Sequence, residues 1–169
     1  DLYMELELNT LKGKAAKGIC TWYGSRRGNF AGKKWTPEDN LEMLKYWWNK
    51  EKEIDYGHPT DIILVNNIYP QDKHCGDFIY SLKNEITKNG RRSNFSRENI
   101  GASFGAFDFA FNEFENEYDY WFFIEDDQII LKNKILSNAV DLMLSIDNKI
   151  GFYGIVGCQE THCNGGYGI

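Results

Sequence analysis

Apolar positions along the chain follow two rhythms: short unbroken runs, and residues spaced three and four apart. The runs "GICTWYG" (18–24), "TDIILVNN" (60–67), "YWFFIE" (120–125) and "GFYGIVG" (151–157) read as buried strands, because their apolar character does not alternate with polar residues. Helical spacing fills the intervals between them. Thr36-Pro37-Glu38-Asp39 is a helix start, with a capping hydroxyl, proline at the first helical position and acids in the first turn. Leu41, Leu44 and Trp48 then mark its apolar face, and Gly57-His58-Pro59 stops it. A second helix is expected from Gly76-Asp77, with Phe78, Leu82 and Ile86 on one side and Gly90 at its end. The polar piece "RRSNFSREN" reads as extended chain before a third helix.

In that third helix Phe104, Phe107, Phe111 and Phe114 recur at spacings of three, four and three, a stripe expected to lie in the core. Ala102, Gly105, Ala106 and Ala110 lie between them and are small enough for close packing. If the stripe is buried, Phe107→Ala or Phe111→Ala should cost about 3–5 kcal/mol. A fourth helix is expected over 133–146, with Ile135, Leu136, Ala139, Met143 and Ile146 apolar. Residues 1–16 are mixed and charged and read as an arm or edge element. Strands alternating with helices predict the α/β class, a doubly wound and mostly parallel sheet with helices on both faces. The 169 residues suit one domain with a real core.

Composition narrows the function classes. An apolar content of 42% with 15% aromatics argues for a packed globule. A formal charge of −6 argues against a general nucleic-acid surface, which needs a basic face. No apolar stretch approaches the roughly 20 residues of a membrane helix. The chain opens at Asp1 rather than Met, so a processed or trimmed start is expected. Cysteines stand at 20, 75, 158 and 163. Cys20 reads as a small buried hydrophobe. Cys158 and Cys163, with His162 and the distant His74-Cys75 pair, could be drawn as a zinc site, but no CxxC knuckle is present. Free thiols in a reducing compartment are the plainer reading, which points to the cytoplasm or the periphery of a membrane. One Asn-x-Ser triplet, Asn94-Phe95-Ser96, also occurs.

The chemistry is expected where strands end. In open parallel sheets, ligands bind beyond the carboxyl ends of the strands, at the switch in strand order. The first strand ends in "TWYGSRR", the second in "VNN" and the central one in Glu125-Asp126-Asp127. Adjacent carboxylates repel one another and resist desolvation, so they stay ionised only beside a cation or hydrogen-bond donors. Mg²⁺ or Mn²⁺, hard cations that take oxygen ligands, meet that need. The plain alternative is a solvated acidic junction, and Arg26 and Arg27 read as solvated loop charges in preference to phosphate ligands.

"YDYWFFIEDDQIILKNKIL" resembles the DxD region of nucleotide-sugar-dependent glycosyltransferases of the GT-A fold, in the Glu-Asp-Asp form of the N-acetylglucosaminyltransferase I type. "RENIGASFGAFDFAFN" is similar to a segment of the inverting family-2 enzymes, and "ICTWYGSR" looks like their first strand and nucleotide-contacting turn. The resemblance spans roughly residues 17 to 131 as a scattered pattern. It implies that Asp127 is the direct metal ligand, and that Glu125 and Asp126 hold the donor's ribose and base or a metal-bound water. It likewise implies that Thr21 and Tyr23 contact the base and that Arg97 lies near the diphosphate or base. Asn66 or Asn67 falls where many relatives hold the uracil edge with an aspartate. Asn99 and Gly101 match a turn of the family pattern, or simply begin a helix.

The implied reaction transfers a sugar from a nucleotide diphosphate-sugar, UDP- or GDP-linked, to a glycan or other hydroxyl acceptor. The chain over 1–169 would be the nucleotide-sugar-binding part of one such domain, with its acceptor side cut short. Glu160 and His162 are candidates for the catalytic machinery by position only. Two other readings stay open. A nucleotidyltransferase also pairs an α/β sheet with acids and Mg²⁺, and a non-enzymatic module could use the acids and aromatics to bind divalent metal or carbohydrate.

Overall fold

The computed structural model describes residues 14–21, 29–30, 33–34, 36–68, 73–82, 85, 87–126 and 128–145. Its centre is a four-stranded sheet of β1 (Ala15–Thr21), β4 (Thr60–Ile68), β5 (Arg92–Glu98) and β6 (Tyr120–Glu125). These stand in the order β5-β4-β1-β6 and all run parallel. Two short antiparallel strands, β2 (Asn29–Phe30) and β3 (Lys33–Lys34), form a separate ribbon. The helices are α1 (Pro37–Glu53), α2 (Lys73–Ser81), α3 (Ala102–Glu113) and α4 (Ile135–Ser145). The α/β class expected from the alternation is therefore observed.

The alternation of side chains along the strands builds two cores. Ile19, Ile62 and Leu64 face Leu44, Trp47 and Trp48 of α1, Ile79 of α2 and Leu136 of α4. On the opposite side Ala16, Cys20, Ile63 and Val65 meet Ala106 and Ala110 of α3. Cys20 is buried, as its place in an apolar run predicts. From β1 the chain steps to β4 and on to β5 in one direction. It then crosses back to place β6 on the far side of β1.

Local chemistry explains α1 well. Thr36 Oγ1 accepts from Asp39 N–H at 3.2 Å, and Asp39 Oδ2 accepts from Thr36 N–H at 2.9 Å, a closed capping box. The other boundaries shift. β1 starts at Ala15 rather than Gly18, so Ala15 and Ala16 belong to the core and not to an arm. α2 starts at Lys73, ahead of Gly76, because Cys75 and Ile79 supply its buried face. Gly90 is not its cap: a side chain there would run into the Thr60 carbonyl, where the chain enters β5. "RSNFSRE" is a full strand, held by parallel pairing from Ile62–Arg92 to Ile68–Glu98. The strand expected at 151–157, the arm over 1–13, and Cys158, His162 and Cys163 lie outside the described residues.

The phenylalanine stripe is core only in part: Phe107 and Phe114 are half-buried against the second core, and Phe104 and Phe111 are not. Phe104 is 68% exposed and Phe111 40%, while Ala106 and Ala110 are fully buried. The small residues Ala106 and Ala110 let α3 lie close on the sheet, with Phe107 and Phe114 flanking that contact and Phe104 and Phe111 left toward solvent. Ala110→Leu is accordingly expected to cost about 1–3 kcal/mol through overpacking. Phe111→Ala should cost about 1 kcal/mol, well short of a buried phenylalanine. Urea denaturation of both variants checks the order, and the reverse ranking would contradict this packing.

Candidate functional site at the carboxyl ends of the strands

The reversal in winding opens the switch point between β1 and β6, and the chain's unusual strand ends meet there. Parallel register puts Cys20 opposite Val65 on one side and Glu125 on the other, with Thr21 opposite Asn66 and Asn67 opposite Arg97. Asp126 extends this ladder by one bond, its N–H donating to the Cys20 carbonyl at 3.2 Å. Thr21, Asn66, Glu125 and Asp126 thus lie side by side at or near the carboxyl ends of neighbouring strands. Glu125 and Asp126 are half-buried, whereas Thr21 is fully buried.

Two short networks fix the floor of this group. Thr21 Oγ1 donates to Asn66 Oδ1 at 3.1 Å, which holds the Asn66 amide in place. Asn67 is 1% exposed and donates through Nδ2 to the Ala102 carbonyl at 2.9 Å, tying β4 to the start of α3. Arg97 completes this second network, donating from Nη1 to Asn67 Oδ1 at 3.0 Å and from Nη2 to the Ile100 carbonyl at 2.8 Å. A guanidinium carries five N–H donors, so three remain. No carboxylate among the described residues forms an ion pair with Arg97. Gly101, the N-cap of α3, has φ +79°, a left-handed conformation that glycine adopts without strain. It caps with no side-chain hydrogen bond.

Arg97→Ala would leave the buried Asn67 Oδ1 without its donor. A loss of about 1–3 kcal/mol in urea denaturation is expected. A neutral result would show that water or another donor replaces the guanidinium.

The segment after β6 is pinned from behind. Trp47 Nε1 donates to the Gln128 carbonyl at 3.2 Å, and Gln128 N–H returns to the Glu125 carbonyl at 3.1 Å. Ile129 and Ile130 pack on the α1 side of the core. Acids at this strand end are therefore carried on a fastened turn. The helix periodicity pointed to Leu41, Leu44 and Trp48. Trp47, three residues after Leu44, satisfies the same spacing and would have been found by testing it.

Tyr23, Asp127, Glu160 and His162 lie outside the described residues. The oxygen chemistry of Glu125 and Asp126 suits Mg²⁺ or Mn²⁺. Among the described residues, however, no three His, Cys, Asp or Glu side chains converge as a metal-binding group. The acids thus fit such an ion in donor type, with Asp127 the further ligand that the resemblance supplies. His74 is exposed and its neighbour Cys75 is buried in the core, so the two do not present a joined pair of ligands. Among the described residues no helix is long and apolar enough to cross a membrane.

Set against protein-family models, curated proteins and solved structures, the chain matches none.

Proposed function

We propose that this chain is the nucleotide-sugar-binding part of a GT-A-type glycosyltransferase that works with Mn²⁺ or Mg²⁺. The observation that carries the reading is the strand order. β6 lies across β1 from β4 and β5, so Glu125 and Asp126 stand at the switch point where open α/β sheets bind ligands. Resemblance to the Glu-Asp-Asp form of the DxD region supplies the chemical class.

In this reading Asp127, with Glu125 or Asp126, would hold the cation. When bound, that ion supplies Lewis-acid stabilisation of the departing nucleoside diphosphate. Asp126 accepts hydrogen bonds from the donor ribose. Asn66 offers the NH₂ that its bond to Thr21 leaves uncommitted, a donor for a base edge. Arg97 is oriented by Asn67 and Ile100 with donors to spare, which suits a diphosphate or base. Thr21, being fully buried, positions Asn66 rather than touching the ligand. The acceptor is a glycan or another hydroxyl compound, whose proton passes to a base outside this group of residues.

The test is a melting-temperature panel with Mn²⁺ and UDP, GDP or their sugar conjugates. Stabilisation that needs both the metal and a nucleoside diphosphate is expected. A response to free sugar without metal would replace the transferase with a lectin-like module. A preference for nucleoside triphosphates would favour nucleotidyl transfer.

A further inference from the structure

An aromatic band runs across α3 and β6, rooted in the second core through the half-buried Phe107 and Trp121 and reaching solvent at Phe104, Phe111 and Phe123. Phe104 contacts Phe107 at 6.4 Å between ring centroids, and Phe107 contacts Phe123 at 5.0 Å. Phe123 stacks on Trp121 at 5.5 Å, and Trp121 meets Phe111 at 5.5 Å. Phe104, Phe111 and Phe123 are 68%, 40% and 39% exposed, so three of the five rings present apolar surface to solvent while Phe107 and Trp121 hold them from beneath. Large apolar surfaces of this kind on a folded domain mark interaction sites.

Charge distinguishes the occupants. From Glu98 to Leu131 the chain carries nine Asp and Glu residues and no Lys, Arg or His. Asp108 is exposed on α3 between Phe104 and Phe111, four residues after one and three before the other, so it shares their helix face. Glu113, Glu115 and Glu117 are exposed where α3 gives way to the turn before β6. An isologous contact with a second copy would set these acids against themselves across the two-fold axis. A nucleic acid is excluded by the same sign of charge. A basic partner gains from both the rings and the carboxylates.

We propose that this face docks a basic amphipathic helix of a partner protein, its apolar side on Phe104, Phe111 and Phe123 and its Lys or Arg side chains toward Asp108 and the acids after α3. Aromatic grooves that receive helices in this way read anchors at helical spacing. The acidic surround speeds encounter and makes binding sensitive to salt.

Calorimetry of the full chain with a synthetic Leu/Lys amphipathic helix tests this, with a Leu/Glu helix of the same apolar face as the comparison. Binding of the Leu/Lys peptide alone is expected. It should weaken by about tenfold or more in the Phe104→Ser, Phe111→Ser double variant and in Asp108→Lys. Glu42→Lys, an exposed change on α1, makes the same charge difference elsewhere and should leave binding intact. Circular dichroism confirms that each variant folds. Equal weakening by Glu42→Lys would reduce the effect to net charge and overturn the proposal, as would absence of binding. Concentration-dependent dimers in sedimentation that vanish in the double Phe variant would assign the face to a second copy instead.

Discussion

Glu51→Ala is expected to lower stability by about 3–5 kcal/mol, the largest loss among the single substitutions considered for this fold. The reason is Lys17, which sits in the middle of β1 at 1% exposure. Its ammonium donates to both Glu51 carboxylate oxygens at 2.7 Å and to the Tyr56 hydroxyl at 3.1 Å. It also lies 4.9 Å from the centre of the Tyr56 ring. Glu51, on α1, is only 3% exposed. Removing the carboxylate strands a cation that has no path to water, whereas removing both charges does not. Lys17→Met combined with Glu51→Leu should therefore recover most or all of the loss. Urea denaturation of the parent, the single and the double variant measures the difference. A Glu51→Ala loss under about 1 kcal/mol would mean that the ammonium escapes to solvent or takes another partner.

The same pair has a defined pH signature. Burial holds the Lys17 pKa below the ordinary lysine value, against the opposing pull of Glu51. Between the folded and unfolded values the unfolded chain binds more protons, so this group's contribution to stability rises with pH across that window. The penalty is present in full below the folded pKa and is gone above the unfolded one. Glu51→Ala removes the opposing pull and should deepen the alkaline rise.

Lys17 also shows where pattern reading stops. A lysine near a strand start looks like the end of an exposed arm. Its compensation comes from Glu51 and Tyr56, distant in sequence and invisible to local periodicity. The aromatic stripe of α3 is the converse case. Its spacing is truly helical, but periodicity does not say how deeply each member lies: Ala106 and Ala110 take the centre of the core, Phe107 and Phe114 flank it, and Phe104 and Phe111 reach solvent. What was legible rests on signals a few residues long. The capping box at Thr36 and the unbroken apolar runs of β1, β4 and β6 are of that kind, and together they disclosed the α/β class. The polar strand β5 was less legible, because parallel backbone pairing to β4 sustains it without an apolar run of its own.

At the candidate site, the notable strand ends were legible one at a time: Thr21, Asn66 and the acids after Ile124. Their convergence at one end of the sheet was expected from the rule that open parallel sheets gather their strand ends at the switch in strand order. The register of β1, β4 and β6 bears it out for Thr21, Asn66 and Asp126. The supporting contacts are longer in range still. Arg97 reaches Asn67 across 30 positions, and Trp47 reaches Gln128 across 81. Each partner on its own is an ordinary residue. Only the fold makes Asn67 the buried link between Arg97 and the first residue of α3.

Asp127→Asn is expected to abolish metal-dependent nucleotide binding while the fold persists, and this is the substitution on which the proposed function stands or falls. Asparagine keeps the shape of the side chain and removes the charge. Losing even an outer partner of a metal site costs 10–100-fold in affinity as an order of magnitude, so losing a direct ligand should cost roughly a hundredfold or more. Asp126→Asn removes a charged acceptor and should weaken nucleotide binding less, by lost hydrogen bonds to the ribose. Stability without metal should move the other way. Three consecutive carboxylates repel one another, so neutralising one leaves the metal-free chain unchanged or slightly firmer. Trp47 Nε1 and the Gln128 turn hold the segment from the other side in all of these variants. Calorimetry with Mn²⁺ and uridine or guanosine diphosphate on the parent, Asp126→Asn and Asp127→Asn gives three isotherms to compare. Steep loss in Asp127→Asn, partial loss in Asp126→Asn and undiminished melting of both without metal is the pattern the reading requires. If Asp127→Asn binds metal and nucleotide as well as the parent does, the carboxylates are a solvated strand end, and the glycosyltransferase proposal falls with them.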